Sequence, residues 1–322
     1  MISFLFFVLW PLFWFVATTV GALSVATYGV HFVVVNFVLR EQNLKRKYDA
    51  QWALVTGASS GIGLAIVKKL AAQGLNVVLV ALDDDVFKSA ASALRSQFPA
   101  LEFRVVGVNL GQKGYMEPIL KATADIAVQL IFNNAGFMTT GFFHELPLAR
   151  LEANFECNAA CQVPITHHFL GRLVAEKKRG AVFFTSSPAN AFANPTSALY
   201  GSTKAFVTEF AASIAPEVAE YGIDVLAVHP SPTNTSFYQH AHNIDTINLF
   251  KRTAITPDVV ASYYFSSVGR VVVADQGWFC IAAQLLVKTA SFNPLADIMK
   301  FVMPTLPDYQ LLKAKNAPKK TN

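Results

Sequence analysis

Tyr200 and Lys204 stand four residues apart in the stretch "ALYGSTKAF", residues 198–206. On a helix, positions i and i+4 share one face, so this spacing would bring a phenol and an ammonium group to the same point. A cation beside a phenol favours the phenolate and lowers a pKa that is ordinarily about 10. Such a pair could move a proton near neutral pH. The same five residues also suit an ordinary surface helix, so other features have to decide.

A glycine-rich turn occurs in "TGASSGIG", residues 56–63. Gly57 permits a tight turn, Gly61 lets backbone N–H groups approach a phosphate, and Gly63 allows the next helix to pack closely. The turn follows an apolar run, "WALVT", and opens a helical pattern, so the N-terminus of that helix would face an anion. This context predicts dinucleotide binding rather than a simple glycine turn.

Apolar runs rich in β-branched residues alternate with helix-length segments from residue 51 onward. The runs lie at residues 52–56, 76–82, 103–110, 128–135, 181–187 and 224–230. Strands that are apolar throughout and alternate with helices form parallel sheets covered on both faces. The predicted fold is therefore a Rossmann-type, doubly wound α/β body.

Four motifs together resemble those of the short-chain dehydrogenase/reductase family. They are the TGxxxGxG turn, "NNAG" at 133–136, the serines at 186 and 187, and YxxxK at 200–204. Their order and spacing are similar to the family's over roughly residues 50–240. The resemblance implies an NAD(P)-dependent oxidoreductase acting on carbonyl and hydroxyl groups.

The resemblance also implies roles for individual side chains. Tyr200 would protonate the carbonyl oxygen as hydride arrives from nicotinamide, and Lys204 would lower the tyrosine pKa and hold the nicotinamide ribose. Ser187, thirteen residues before the tyrosine, would hydrogen-bond the substrate oxygen and stabilise its developing charge. The family spacing rejects the neighbouring Ser186.

A fourth catalytic residue and the cofactor-binding set follow from the same resemblance. Asn158 matches the residue that holds a backbone kink and a water of the proton relay, with Asn154 as a nearby alternative. "HPSPTNT", from residue 229, resembles the segment that covers the nicotinamide, although Ser231 replaces the usual glycine. The implied cofactor-binding residues are Gly57, Ser59, Ser60, Gly61, Ile62, Gly63, Asp83, Asn109, Asn133, Ala135, Gly136, Tyr200, Lys204, Pro230 and Thr235.

The choice between NAD and NADP stays open in the sequence. Relatives that use NADPH often carry a basic residue where this chain has Ser60 or Leu82, and relatives that use NADH often carry an aspartate where it has Ala81. Three acids follow at residues 83–85 and would repel a 2′-phosphate. The residues thus favour NADH, whereas the membrane-anchored relatives usually favour NADPH. Asn109 stands where an adenine-contacting aspartate is common.

The N-terminal segment, residues 1–39, contains no Lys, Arg, Asp or Glu. It is long enough for one tilted membrane span or for a hairpin of two short spans. It is too long for a cleaved signal peptide and lacks the basic start of one. Arg40, Lys45, Arg46 and Lys47 follow it, which places the next domain on the cytosolic side.

The remaining charges and cysteines exclude several classes of function. The formal net charge is +5, but the basic residues cluster beside the anchor and at the C-terminus, which indicates anionic lipid rather than nucleic acid. Three cysteines and the scattered histidines predict neither a disulfide framework nor a metal site. Lys319 and Lys320 stand fourth and third from the end, as in the dilysine signal for retrieval to the endoplasmic reticulum.

Five segments are predicted. An anchor (1–39), a basic juxtamembrane linker (40–50) and a Rossmann domain (51–258) are followed by an apolar region (259–306) and a basic tail (307–322). The apolar region either lines the substrate entrance, lies on the bilayer surface or packs as ordinary core. The family resemblance adds a homodimer as an expected assembly.

The anchored chain is similar to the membrane-bound branch that includes very-long-chain 3-oxoacyl-CoA reductases and 17β-hydroxysteroid dehydrogenases. We therefore expect an oxidoreductase acting on a lipid ketone or alcohol at the endoplasmic reticulum membrane. One alternative is a 3-ketosphinganine reductase. Another is a catalytically idle scaffold on membranes or lipid droplets, which would tolerate the departures at Ala81, Asn109 and Ser231 and could use Pro11 in a hairpin.

Overall fold

A single parallel sheet forms the centre of the molecule. The computed structural model describes residues 2–238 and 245–316. The strands are β1 (Trp52–Thr56), β2 (Asn76–Ala81), β3 (Phe103–Gly107), β4 (Val128–Asn133), β5 (Gly180–Thr185), β6 (Ile223–His229) and β7 (Val273–Asp275). They lie in the order β3-β2-β1-β4-β5-β6-β7, and every neighbouring pair is parallel. The predicted doubly wound α/β fold is confirmed.

The strand order creates a crevice at one edge of the sheet. The chain runs outward from β1 to β3 and then returns to place β4 on the other side of β1. The connections after β1 and β4 therefore leave the sheet in opposite directions, and ligands of such sheets bind where these carboxyl ends diverge.

Helices cover both faces of the sheet. One face packs against α3 (Gly61–Ala72), α4 (Asp85–Gln97) and α10 (Pro257–Ser267), and the other packs against α5 (Met116–Thr123), α7 (Gln162–Ala175) and α8 (Ala198–Val218). The strands are buried along most of their length because both faces are covered. The short helix α6 (Leu148–Phe155) joins α7 through a π-helical turn, Glu156–Ala160.

The N-terminal segment is one continuous helix rather than a hairpin. Helix α1 (Ile2–Val33) has Pro11 inside it and continues into a π-helical turn, Val34–Val38. Among the described residues, this is the one helix long and apolar enough to cross a membrane. Side chains 9–27 are exposed, apart from half-buried Ser24, whereas Tyr28, Phe32 and Val35 are buried against the body.

The juxtamembrane segment packs against the α/β body. Leu44 and Tyr48 of the short helix α2 (Leu44–Tyr48) are buried. Lys45 donates to the Gly74 carbonyl at 2.6 Å, and Lys47 forms an ion pair with Asp224 at 3.1 Å. Two of the basic residues that we assigned to lipid attraction are therefore used to attach the segment to the body.

The C-terminal region divides between the sheet and a group of covering helices. Helix α10 and strand β7 belong to the sheet body, and β7, only three residues long, was not predicted from the sequence. Four further helices line the crevice described below and are called here the covering helices. They are α9 (Asp245–Arg252), α11 (Gly277–Ala290), α12 (Phe292–Val302) and α13 (Pro307–Asn316).

Candidate active site

A cavity of about 720 Å³ lies at the carboxyl ends of the strands. One half is formed by the β1–α3 turn and the ends of β2 to β6, and the other half by the covering helices. The two halves meet at the start of α8. The cavity therefore lies where the strand order predicts a ligand-binding crevice.

The glycine turn has the backbone geometry of an anion cradle. Gly57 and Gly61 have positive φ angles of +66° and +54°, which glycine adopts readily. Helix α3 begins at Gly61, and the Ser60 side chain does not cap its first turn. The N–H groups of that first turn have no capping side chain and lie at the cavity, which Gly61 and Ile62 line, as in phosphate-binding turns. Gly63 serves packing, because a Cβ there would lie 2.1 Å from the Gly57 carbonyl oxygen.

Most of the predicted site residues line the cavity together. From the cofactor set these are Gly57, Ser59, Ser60, Gly61, Ile62, Asn109, Ala135, Gly136, Pro230 and Thr235, and from the catalytic set Ser187, Tyr200 and Lys204. Gly63, Asp83, Asn133 and Asn158 are not among the lining residues. The glycine turn and the lining residues fit a dinucleotide along this wall.

After β2, Asp84 lines the cavity and the predicted Asp83 does not, although both are exposed. Asp83 lies 3.5 Å from Lys88 Nζ, and Asp84 accepts the Phe87 N–H as the N-cap of α4. Asn133 is buried behind the wall and donates to Thr166 Oγ1 at 3.0 Å. The motif alone could not separate these neighbours, because strand alternation sends consecutive side chains in opposite directions.

Ser187, Tyr200 and Lys204 converge where the two halves meet. Tyr200 and Lys204 occupy the same buried face of α8, with Lys204 Nζ 5.7 Å from the tyrosine ring centroid. The ammonium donates to the Thr185 carbonyl at 2.7 Å. Ser187 follows β5 and forms a side-chain hydrogen bond with Tyr200. Ser186 instead donates to the Lys204 carbonyl at 2.9 Å.

Burial dominates the protonation of this cluster. Burial raises the pKa of Tyr200 well above its usual range, and the hydrogen bond with Ser187 opposes that shift only in part. Burial lowers the pKa of Lys204 to about 8. The net shift of the tyrosine pKa is thus opposite to the lowering expected from Lys204, because desolvation is the largest effect at this buried position. Tyr200 is therefore a protonated phenol at neutral pH, suited to donate a proton.

Asn158 acts on the loop that follows β4. It lies in the π-helical turn between α6 and α7, where its side chain accepts the Phe137 N–H and donates to the Phe137 carbonyl, both at 2.9 Å. Asn154 donates to the same carbonyl at 2.7 Å. A Cβ on Gly136 would lie 3.1 Å from Asn158 Oδ1, so the loop packs closely on this amide.

Asn134 is a site residue that the sequence reasoning missed. Its amide donates to the Thr56 carbonyl at 2.9 Å and accepts the Thr185 hydroxyl at 3.1 Å, so it connects β1, β4 and β5 at the cavity wall. It stands in "NNAG", directly after Asn133, which we selected from the motif. The motif itself was therefore the signal that could have identified Asn134.

The second half of the cavity is apolar, and the sequence did not specify its members. Tyr200 contacts this half through Phe237, with ring centroids 5.6 Å apart. Among the described lining residues of this half, Asp308 of α13 is the charged one. The apolar members are Met138, Phe237, Tyr238, Ile247, Phe250, Phe279, Leu286, Leu295, Met299, Met303 and Leu306.

Comparison with known proteins gives a consistent set of relatives. Residues 51–244 match the short chain dehydrogenase family. A very-long-chain 3-oxoacyl-CoA reductase-like protein of Arabidopsis thaliana is 28% identical, over 72% of this chain and 74% of its own. A 7beta-hydroxysteroid dehydrogenase of Collinsella aerofaciens is 28% identical, over 73% and 89%. A structure solved to explain 7beta-hydroxysteroid dehydrogenase stereoselectivity has a TM-score of 0.71 and 24% identity, covering 81% of this chain and 100% of that chain.

Proposed function

The chain belongs to the short chain dehydrogenase family, a family of NAD(P)-dependent oxidoreductases, and from that premise we propose that it interconverts the ketone and alcohol forms of a bulky lipid. The observation that carries the proposal is the position of Ser187, Tyr200 and Lys204. They lie between a wall suited to a dinucleotide and an apolar half suited to a lipid.

Each side chain of the cluster has a definite task in such a reaction. The nicotinamide group, when bound, supplies or accepts the hydride. Tyr200, held protonated by burial, donates its proton to the carbonyl oxygen, and Ser187 hydrogen-bonds that oxygen. Lys204, held by the Thr185 carbonyl, places its positive charge beside the phenol. Asn158 keeps the loop after β4 in place through Phe137.

We propose NADH as the preferred cofactor. Ser60, Leu82 and Asp84 line the cavity at the glycine turn and the end of β2, where a 2′-phosphate would lie. None of the three is basic, and the Asp84 carboxylate would repel a phosphate. The family resemblance implied NADPH instead, so a comparison of the two cofactors tests the proposal directly.

The substrate class follows from the apolar half. Its aliphatic and aromatic side chains suit the body of a lipid, and the names of the relatives, a very-long-chain 3-oxoacyl-CoA reductase-like protein and a 7beta-hydroxysteroid dehydrogenase, are in line with this. Our candidates are therefore a steroid-like ketone and a long-chain 3-oxoacyl-CoA, which the turnover test separates.

The membrane would deliver this substrate. Helices α11 and α12 carry exposed apolar side chains, among them Trp278 and Phe301 at 70% and 72% exposure. Trp278 packs against Phe32 of the anchor. Phe279 and Met299 of the same helices line the cavity. We propose that α1 crosses the membrane, that the outer side of α11 and α12 rests on it, and that the body is cytosolic at the endoplasmic reticulum. Lys319 and Lys320, which suggested that location, lie outside the described residues.

The test is turnover in detergent with NADH and NADPH side by side. The substrates are a 17-ketosteroid, a long-chain 3-oxoacyl-CoA and 3-ketosphinganine, and Tyr200→Phe is the control. We expect Tyr200→Phe to lower turnover by about 10²–10⁴-fold, because the proton donor is lost, while dinucleotide affinity changes by less than about threefold. Full turnover by the variant would remove Tyr200 from its role. No turnover by the wild type would favour the idle scaffold.

A further inference from the structure

A series of buried hydrogen bonds connects the anchor helix α1 to the catalytic helix α8. Tyr28 on α1 donates its hydroxyl to Asp275 Oδ2 at 3.0 Å. Asp275 Oδ1 lies 2.6 Å from His229 Nδ1, and His229 Nε2 lies 2.9 Å from Thr208 Oγ1. Thr208 belongs to α8 and donates to the Lys204 carbonyl at 3.0 Å. The anchor is therefore linked to the catalytic lysine through three intervening side chains.

Asn36, in the π-helical turn that ends the anchor, contacts the same region from another side. Its Nδ2 donates to the Asp275 carbonyl at 2.9 Å, and its Oδ1 accepts the Gly277 N–H at 2.9 Å. Between these two residues, Gln276 accepts the Ser231 N–H at 3.0 Å and the Ser231 hydroxyl at 2.6 Å. Ser231 lines the cavity in the loop after β6. Only Asp275 and Gln276 thus separate Asn36 of the anchor from Ser231 at the cavity.

The arrangement depends on satisfying a buried carboxylate. Asp275 is 8% exposed. Its Oδ2 accepts the Tyr28 hydroxyl of the anchor, and its Oδ1 is bonded by His229 of β6 and, at 3.5 Å, by Gln284 of α11. A buried carboxylate that loses a donor is strongly destabilised unless it moves to find another. Movement of Asp275 would displace the β7–α11 junction, and with it Gln276 and the loop that contains Ser231.

We propose that Tyr28 and Asn36 are positioning residues of the active site. They hold Asp275 and Gly277, on either side of Gln276. Gln276 fixes the loop 230–235 through Ser231, and Asp275 is connected to the backbone of Lys204 through His229 and Thr208. The inference rests on the proposed function, because this loop and Lys204 are assigned to the cofactor. The end of the membrane anchor is then part of the working site as well as an attachment.

The test uses the full chain in detergent and compares Tyr28→Phe with two matched variants. Thr27→Val removes a hydroxyl from the adjacent residue, where it bonds only the Leu23 and Ser24 carbonyls of its own helix. Tyr48→Phe removes an equivalent tyrosine–aspartate bond, to Asp224 at 2.7 Å, from the opposite end of β6. This second variant separates a loss of stability of the fold from a loss of positioning of the active site.

We expect Tyr28→Phe to weaken NADH binding and to lower kcat/KM roughly tenfold, since small misplacements far from the chemistry can cost up to about 10²-fold. Asn36→Ala should act in the same direction. Thr27→Val and Tyr48→Phe should stay within about twofold of the wild type in both quantities, and Tyr48→Phe should lower the thermal midpoint.

Two results would overturn the inference. One is Tyr28→Phe binding and turning over like Thr27→Val, and the other is an equal catalytic loss in Tyr48→Phe. NADH affinity, measured by fluorescence, needs no substrate. If the wild type reduces none of the tested ketones, the proposed function fails while the affinity comparison still decides the role of Tyr28.

Discussion

At the scale of single residues, burial rather than pairing sets the chemistry of the cluster. Tyr200 and Lys204 were selected for their spacing, and α8 places them on one face as expected. Both groups are buried away from water, so desolvation raises the pKa of the phenol and lowers the pKa of the amine. The result is an acid that stays protonated and a cation that is lost above a moderately alkaline pH.

The lysine gives a prediction about pH. Its lowered pKa of about 8 means that Lys204 is an ammonium below that pH and a neutral amine above it. NADH affinity and kcat/KM of the wild type should therefore fall as pH rises through about 8. Lys204→Met, whose side chain cannot titrate, should bind NADH weakly, and its NADH affinity should not change as pH rises through about 8. Affinity measured from about pH 6 to about pH 10 would check this. A flat wild-type profile, or a break retained in Lys204→Met, would contradict the assignment.

At the scale of elements, the β1–α3 turn shows how close packing creates a binding surface. Gly57 and Gly61 supply left-handed backbone angles, and Gly63 lets α3 approach the turn. The turn and helix then present backbone N–H groups instead of side chains. The π-helical turn around Asn158 fixes the loop after β4, because it aims one amide at both polar groups of Phe137.

Two glycine-to-alanine changes should separate the effect of close packing at the turn from the effect of helix propensity. Gly63→Ala places a Cβ 2.1 Å from the Gly57 carbonyl oxygen, so it should cost about 1–3 kcal/mol of stability and weaken NADH binding. Gly171→Ala, on α7 with no atom within 4 Å of the new Cβ, should stabilise by about 0.5–1 kcal/mol and leave binding unchanged. Thermal unfolding and NADH titration measure both effects. Equal behaviour of the two variants would refute the packing argument.

At the scale of the whole molecule, the anchor and body share one packed interface. Residues 9–27 of α1 are almost wholly exposed, and at 1.5 Å per residue they extend about 28 Å, close to the roughly 30 Å of a bilayer core. Tyr28, Phe32 and Val35 are buried, and Phe32 contacts Trp278 of α11 with ring centroids 5.8 Å apart. The helix therefore changes from exposed to protein-facing near residue 28, which is where the proposed membrane span would end.

Two truncations should locate that change. Removal of residues 2–26 should weaken the attachment to membranes, which then depends on α11 and α12 alone. It should keep NADH binding, because Tyr28 and the buried face remain. Removal of residues 2–38 should lower the thermal midpoint and weaken binding. It uncovers apolar surface, removes the two donors to Asp275 and removes the acceptor of the Gly277 N–H. Membrane flotation and NADH titration of both proteins give the answer. Indistinguishable binding by the two would mean that the anchor only attaches the chain.

Local pattern was enough to determine much of this protein. The apolar strands, the glycine turn, the YxxxK spacing and the long uncharged N-terminus each depend on residues near one another in the chain. Such features follow from backbone periodicity and steric freedom, which the sequence displays directly.

Tertiary structure alone decided the rest. It placed Asp84 rather than Asp83 at the cavity wall, completed the sheet with β7, and placed the covering helices on the cavity. It also joined Tyr28 to Asp275 across a separation of 247 residues. Contacts of that range depend on how whole elements pack, and no short stretch of sequence carries the geometry of its distant partner.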